Sequence, residues 1–414
     1  MNLLLSLLLV SFCFNSQQIF VACEGNFYEG NGSIWTISDE EAFSYNNNPL
    51  GEVVQSVYVH GNQLYVIVNG SSNIQVFDIE NNSLIPTHFI DTQYSGPREM
   101  MVIDNYLYFT NWYTADIKKL SLDTWEIVNE ISTPGLPEDI KFHNGFIYVS
   151  ITMNLDWTDG NSIIIIDPLT DEITNNIEVG LGPGEILIHE DEVYVARTYY
   201  DDEWNAFYGT SKIDSNNEVI IASYGAGAAC GGGIYSHNGD IYRVYNGGIA
   251  KINQELEIIP ESRIGEYESW EVYSAEIIGD NIYFGLTDFS APDDVAVVDF
   301  NGNEIARYSV GAIPGDFAVF ESCINNGDMN EDGDINIADI VSIVQLILNE
   351  SEYNCTADIN DDGLTNILDA VQLVQEVLGI DSFRGAANWL KHYFPELNVN
   401  EQIIKAFKNI KVSD

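Results

Sequence analysis

One pattern returns six times along this chain: an apolar strand, a tight turn, then a second strand carrying a tyrosine. The copies read SVYVHGNQLYVIV, MMVIDNYLYFTN, IKFHNGFIYVSI, ILIHEDEVYVAR, GIYSHNGDIYRVY and AEIIGDNIYFGL. Their tyrosines, Tyr65, Tyr108, Tyr148, Tyr194, Tyr242 and Tyr283, are separated by 43, 40, 46, 48 and 41 residues. Apolar and polar residues alternate with a period of two, and Asn-Gly-type turns join the strands. That excludes a helical solenoid. Units of this length, built from short strands, cannot bury their faces alone and must stack on their neighbours.

A further strand follows most copies and often ends in Asp, as in IQVFDIENN, IIIIDPLTD and VAVVDFNGN. Each unit therefore reads as a four-stranded blade, and the array as a β-propeller. The two ends complete it. Residues 313–320 (IPGDFAVF) match an innermost strand with nothing after it, and residues 26–45 (NFYEGNGSIWTISDEEAFSY) match the three strands that should follow. Joining them makes a seventh blade and removes the exposed sheet edges of an open array. The expected fold class is mainly β, a seven-bladed propeller, with a small α domain behind it.

That α domain opens with a dense run of carboxylates and amides. Counted from Asp328, oxygen side chains fall at loop positions 1, 3, 5, 9 and 12: Asp328, Asn330, Asp332, Asn336 and Asp339. Gly333 occupies position 6, and Asp334 offers its backbone carbonyl from position 7. The loop returns as DINDDGLTNILD, with Asp358, Asn360, Asp362, Gly363, Asn366 and Asp369 in the same places and Leu364 at position 7. Hard oxygen ligands at this spacing, with a glycine at the sharp turn, are the signature of a calcium loop. An apolar helix follows each, IVSIVQLIL and AVQLVQEVL.

Residues 327–379 resemble a type I dockerin, in which Asp at position 12 is usual. The resemblance implies two bound calcium ions and a cohesin-type protein partner. Positions 10 and 11, often small hydroxyl residues in dockerins, are Ile337 and Ala338 in the first loop and Ile367 and Leu368 in the second. Upstream, the stretches GPREM, PEDIKFHNGFIYVS and GPGEILI resemble YVTN or YncE-like propellers. EGNFYEGNGSIW followed by LGEVVQSVYVHGNQLYVIVN is similar to their surface-layer type. This second resemblance spans residues 23–321 and implies a mostly non-enzymatic group found in exported bacterial proteins.

A formal net charge of -49 leaves no basic patch to neutralise phosphate, which excludes nucleic acid as a partner. The opening MNLLLSLLLVSFCF is apolar and too short to span a bilayer, and FVAC follows it. It reads as an export signal cleaved after Ala22, with lipidation of Cys23 as the alternative. The expected domains are a signal at 1–22, the propeller at 23–322, the dockerin at 323–380 and a basic helical tail at 381–414. The expected location is secreted or bacterial cell surface. Cys323 and Cys355 precede the two calcium loops, so a Cys323–Cys355 disulfide is expected, with Cys23–Cys323 as its rival. Cys230 has no obvious partner. The tail segments RGAANWLKHYFPEL and NEQIIKAFKNIK are amphipathic and read as a helical cap, with a membrane or sorting role as the alternative.

Within the propeller, P-x-[E/D] recurs at the starts of inner strands, giving Glu99, Asp139, Glu185 and Asp316. Inner strands line the central channel, so these carboxylates ring one mouth. They either hold a cation or cationic ligand, or accept hydrogen bonds from neighbouring backbone amides. Loops at the same end carry Trp112, Tyr113, Trp157, Tyr199, Trp204 and Trp270, interleaved with acids. Exposed aromatics on a rigid scaffold suit sugar rings, a planar cofactor or a protein surface. His60, His143, His189 and His237 each lie five residues before a marker tyrosine and are turn residues of separate blades, not a metal cluster. No catalytic residue stands out. The expected function is a non-catalytic binding protein, attached through a calcium-dependent dockerin to a cohesin-type partner or to its own chain. The alternative is a dockerin-bearing glycosidase or lyase acting on extracellular glycan.

Overall fold

A computed structural model describes residues 17–38, 40–80, 83–227, 232–321, 327–330, 333–348, 354–360, 365–380 and 382–399. The chain divides into two compact units, one formed by Gln17–Phe320 and the other containing the C-terminal part from Glu321 onward.

The first unit is a ring of seven sheets. The inner strands are Val54–His60, Pro97–Ile103, Gly135–His143, Pro183–His189, Ile234–His237, Val272–Ile278 and Pro314–Glu321. Each starts one blade, numbered here one to seven in that order. Within a blade the strands run outward as an antiparallel meander, with Val57 opposite Val66, and Val66 opposite Gln75, in blade one. The turn between the first two strands of a blade puts its central residues at positive φ, as at Gly61 (53°), Asn144 (50°) and Gly145 (82°). That is where the His-Gly-Asn and His-Asn-Gly signals fall. The marker tyrosines wedge the blades together: Tyr65 is buried with Met100, Leu107 and Phe109 of blade two, and Tyr108 with Ile140, Val149 and Ile164 of blade three. The turn histidines serve packing, as His237 stacks face to face on Phe300 at 3.9 Å.

Blade five differs from the expected four strands. It has three, ending at Gly248–Ile252. The outer edge is supplied by Pro260–Ser262, a short 3-10 turn, and by single bridges from Ile249 to Ile264 and from Ile252 to Ile258. Pro260 has no N–H to extend a ladder at this place.

Blade seven closes the ring as the termini suggested, but with an earlier start. Its strands are Pro314–Glu321, Gln17–Cys23, Ser33–Ser38 and Glu41–Ser44. The second strand thus lies almost wholly inside the segment expected to be removed at Ala22. Ile19, Phe20, Val21, Ala22 and Cys23 are buried between neighbouring strands. A strand packed on both faces is a continuous apolar run, and so is the core of an export signal. Cys23 is fully buried and not disulfide-bonded, which removes the Cys23–Cys323 alternative and leaves no room for a lipid on its sulfur. Cys323, the Cys355 side chain and Cys230 lie outside the described residues.

Among the described residues the second unit holds three α-helices, α1 (Ile337–Leu348), α2 (Ile367–Leu378) and α3 (Phe383–Tyr393). Asn366 caps α2 in a reciprocal box with Asp369, and Gly379 ends it at φ 63°. Ser382 caps α3. Ile340, Ile343 and Val344 of α1 share one core with Val371, Leu373 and Val374 of α2 and with Leu390 of α3. The first tail segment is therefore a helix covering the paired helices. The second, with its lysines, lies outside the described residues. No helix among the described residues is long and apolar enough to cross a membrane.

Candidate functional site

Antiparallel blades send two connections to the same end of the ring. One joins an outer strand to the next inner strand, and the other joins a second strand to a third. Both the P-x-[E/D] positions and the aromatic loops emerge at this end.

The four predicted carboxylates meet in the channel, and hydrogen bonding to backbone amides accounts for most of them. Asp316 accepts from the Val57 N–H of blade one at 2.8 Å, Asp139 from Ile186 N–H of blade four at 2.6 Å, and Glu185 from Ile234 N–H of blade five at 3.4 Å. Ser56 and Ser274 occupy the same position in other blades and donate instead, to the Arg98 and Pro314 carbonyls of the next blade. The row is a set of clips between neighbouring inner strands, each contributing about 1 kcal/mol. Among the described residues, no three His, Cys, Asp or Glu side chains are grouped to hold a metal ion.

Burial and the charges of neighbouring carboxylates shift Glu99, Asp316, Glu185 and Glu276 upward. Burial, then the charges of Asp316 and Asp139, raise the Glu99 carboxyl well above the usual range. Burial is also the main cause for Asp316 (about 6), Glu185 (about 7) and Glu276 (about 8), with neighbouring carboxylates adding to it. Glu276, absent from the predicted set, has no P-x-[E/D] marker because it lies beyond the start of its strand. The cation among them is Lys141, 3.1 Å from Asp139, and it offsets part of the repulsion.

Around this mouth stand the aromatics. Trp112 is half-buried, 4.3 Å from the Arg98 guanidinium and edge-on to Trp157 at 6.1 Å. Its buried Nε1 has no acceptor among the described residues. Arg98 is held by Glu138 at 2.6 Å. Tyr199 stacks on Phe207 and is half-buried. Tyr113, Trp157, Trp204 and Trp270 are exposed, as expected. Phe27, Tyr28 and Phe289, outside the expected set, are also exposed at the tips of equivalent loops. Comparing the second-to-third-strand connections across all blades would have found them.

Four of these tips, and Tyr94 in the connection from the outer strand of blade one to the inner strand of blade two, share a left-handed backbone. Tyr28, Tyr94, Trp157, Trp204 and Phe289 have φ of 69°, 61°, 66°, 64° and 65°. Gly or Asn fits that conformation without strain, whereas a bulky side chain costs about 1–3 kcal/mol. All five are 48–97% exposed, and turn hydrogen bonds, such as those from the Trp157 and Trp204 N–H groups to the Asn154 and Asp201 carbonyls, hold the conformation rather than burial of the rings. Next to them a cavity of about 340 Å³ opens, walled by Arg98, Trp112, Glu138, Asp159, Glu185 and Tyr200 among others.

In the second unit, the predicted calcium residues that are described converge as the loop spacing requires. Asp339 is buried and accepts from the N–H groups of Met329 and Asn336, both at 2.7 Å, while Asp328 accepts from Gly333 N–H at 2.8 Å. Asp369 accepts from Asn360 and Asn366 N–H at 3.2 and 2.8 Å, and Asp358 is buried. Position 12 thus pulls the loop back over its own start in both copies. Buried carboxylates that draw backbone amides of their own loop around them fit a cation site. Asp332, Asp362 and Leu364 lie outside the described residues.

Residues 326–378 match the dockerin type I domain family. The propeller resembles solved structures at low identity. A functionally unknown protein from Desulfotomaculum acetoxidans aligns with a TM-score of 0.56 and 12% identity, over 75% of this chain and 100% of the other. A protein from Lactobacillus plantarum gives 0.54 and 9%, over 74% and 100%. Hydrazine synthase from Kuenenia stuttgartiensis gives 0.50 and 14%, over 60% and 77%. These likenesses show the fold alone. No curated protein sequence matches the chain. Residues 326–378 thus carry the dockerin type I match, and the upstream unit has the fold of a seven-bladed propeller.

Proposed function

We propose that the protein is an extracellular glycan-binding module, in which the aromatic face of the propeller holds the polysaccharide and the dockerin tethers the module to a cohesin-type partner. The observation that carries this is the set of five strained, exposed aromatics at one end of the ring. Rings held rigidly outward offer apolar faces for sugar rings at low entropy cost, with carboxylates between them to accept hydroxyl hydrogen bonds. The dockerin match supports the tethering half, since dockerin type I domains bind calcium and imply a cohesin-type partner. Two calcium ions would be held by Asp328, Asn330, Asp332, Asp334 and Asp339, and by Asp358, Asn360, Asp362, Leu364 and Asp369. The ions supply the positive charge that lets each acidic loop close.

The test is retention on a panel of immobilised polysaccharides. Wild type should be retained on at least one, and the Trp157→Ala/Trp204→Ala double variant should bind it at least about tenfold more weakly. Equal retention of the two proteins would overturn the assignment of this face. Release of new reducing ends would favour the glycosidase or lyase alternative.

A further inference from the structure

Beside the cavity at the channel mouth lies a larger one, about 540 Å³, on the same face between blades four and five. Its described walls include Thr198, Tyr208, Tyr224, Arg243, Tyr245 and Asn246 and contain no Asp or Glu, although the chain has 64 acidic residues against 15 basic ones. The neighbouring cavity, by contrast, is walled by Glu138, Asp159 and Glu185.

Arg243 is 1% exposed. Its guanidinium donates to Thr210 Oγ1 at 3.0 Å, to the Gly209 carbonyl at 3.1 Å, to the Gly233 carbonyl at 2.6 Å and to the Gly232 carbonyl. A guanidinium has five N–H groups, so one, on Nη2, is left without an acceptor among the described residues. Arg98 and Arg307 each pair with a carboxylate, but Arg243 forms no ion pair among the described residues. Glu185 acts on it only at longer range. A second guanidinium nearby, Arg197, is also buried, bonded to the Leu181 and Ala222 carbonyls, and its Nε has no acceptor among the described residues. Carbonyl oxygens solvate a buried cation but do not neutralise it.

We infer that this cavity binds the carboxylate of an acidic sugar, a uronate unit of a glycan, with Arg243 as its counter-charge. The volume exceeds what a bare anion fills and suits one or two sugar rings. Tyr208 and Tyr224 meet edge to face at 5.2 Å, and the Tyr224 hydroxyl is committed to the Leu256 carbonyl, so the cavity presents phenol rings beside the cation. Tyr245 and Asn246 also line the cavity and bring a hydroxyl and an amide to its walls. The inference rests on the proposed function only in taking this face as the one that meets glycan.

Titration calorimetry on the full chain tests it, with digalacturonate, its neutral methyl ester and inorganic phosphate as probes. Digalacturonate should bind with an affinity that falls as salt rises, and the ester at least about tenfold more weakly. Tyr245→Ala and Arg243→Lys should each weaken digalacturonate by about tenfold, with circular dichroism confirming that both remain folded. No digalacturonate binding, equal binding of ester or phosphate, or insensitivity to Tyr245→Ala would overturn the inference. Loss of polysaccharide retention tests separately, because it is read on the aromatic-tip variant.

Discussion

Glu276→Gln should stabilise the propeller, and increasingly so as pH rises. The side chain sits in the channel with a carboxyl pushed from an ordinary 4.5 to about 8, first by burial and then by the charges of Glu185 and Asp316. In the unfolded chain it ionises near 4.5, so between these values the folded state binds the extra proton. Stability contributed here is full below about 4.5 and is lost as pH rises through about 8. A shift of that size corresponds to at most about 5 kcal/mol at about 1.36 kcal/mol per unit. The channel opens to solvent at its mouths, and screening there reduces the figure to about 2 kcal/mol. Gln keeps the shape and cannot ionise. For a unit of this size about 2 kcal/mol moves the unfolding midpoint by about 4 °C. Calorimetric scans from pH 5 to 9 should show the two proteins together at the acid end and Glu276→Gln melting higher at pH 9. Parallel curves, or a lower midpoint for the variant at pH 9, would refute the assignment of a strained buried acid.

Other perturbations separate the parts. Deleting residues 1–16 should leave a folded propeller, whereas deleting 1–22 removes most of the buried strand Gln17–Cys23 and should give aggregated protein in the soluble-yield assay. Asp328→Ala with Asp358→Ala should abolish calcium uptake by the second unit and lower its helical signal, with the propeller melting transition unchanged. Gly182→Ala should destabilise by several kcal/mol in denaturant unfolding, because Gly182 has φ 63° and an added Cβ would meet the Thr198 carbonyl oxygen at 1.8 Å.

The ring was legible because its repeat obeys simple period-2 patterning and because tyrosine wedges recur at one position per blade. The dockerin loops were legible for a similar reason: ligand chemistry fixes residue type and spacing together. Two features escaped. The apolar stretch at Ile19–Cys23 satisfies an export signal and a doubly buried strand equally well, and only its pairing in the ring distinguishes them. The aromatic tips at Phe27, Tyr28 and Phe289 emerge only when the second-to-third-strand connections are compared across blades, and no sequence rule marks the positive φ of Tyr28 and Phe289. Glu99, Asp139, Glu185 and Asp316 share one position at the starts of their strands, but whether such acids hold a cation or clip the blades together depends on distances to backbone amides that sequence does not carry.

The most direct test is the affinity of the full chain for its best-retained polysaccharide, measured in calcium and again in chelator, with reducing ends assayed in the same samples. The account predicts one affinity in both conditions and no new reducing ends, because the propeller binds without cleaving and without the calcium loops. Accumulating reducing ends, or binding that disappears with the calcium, would contradict it.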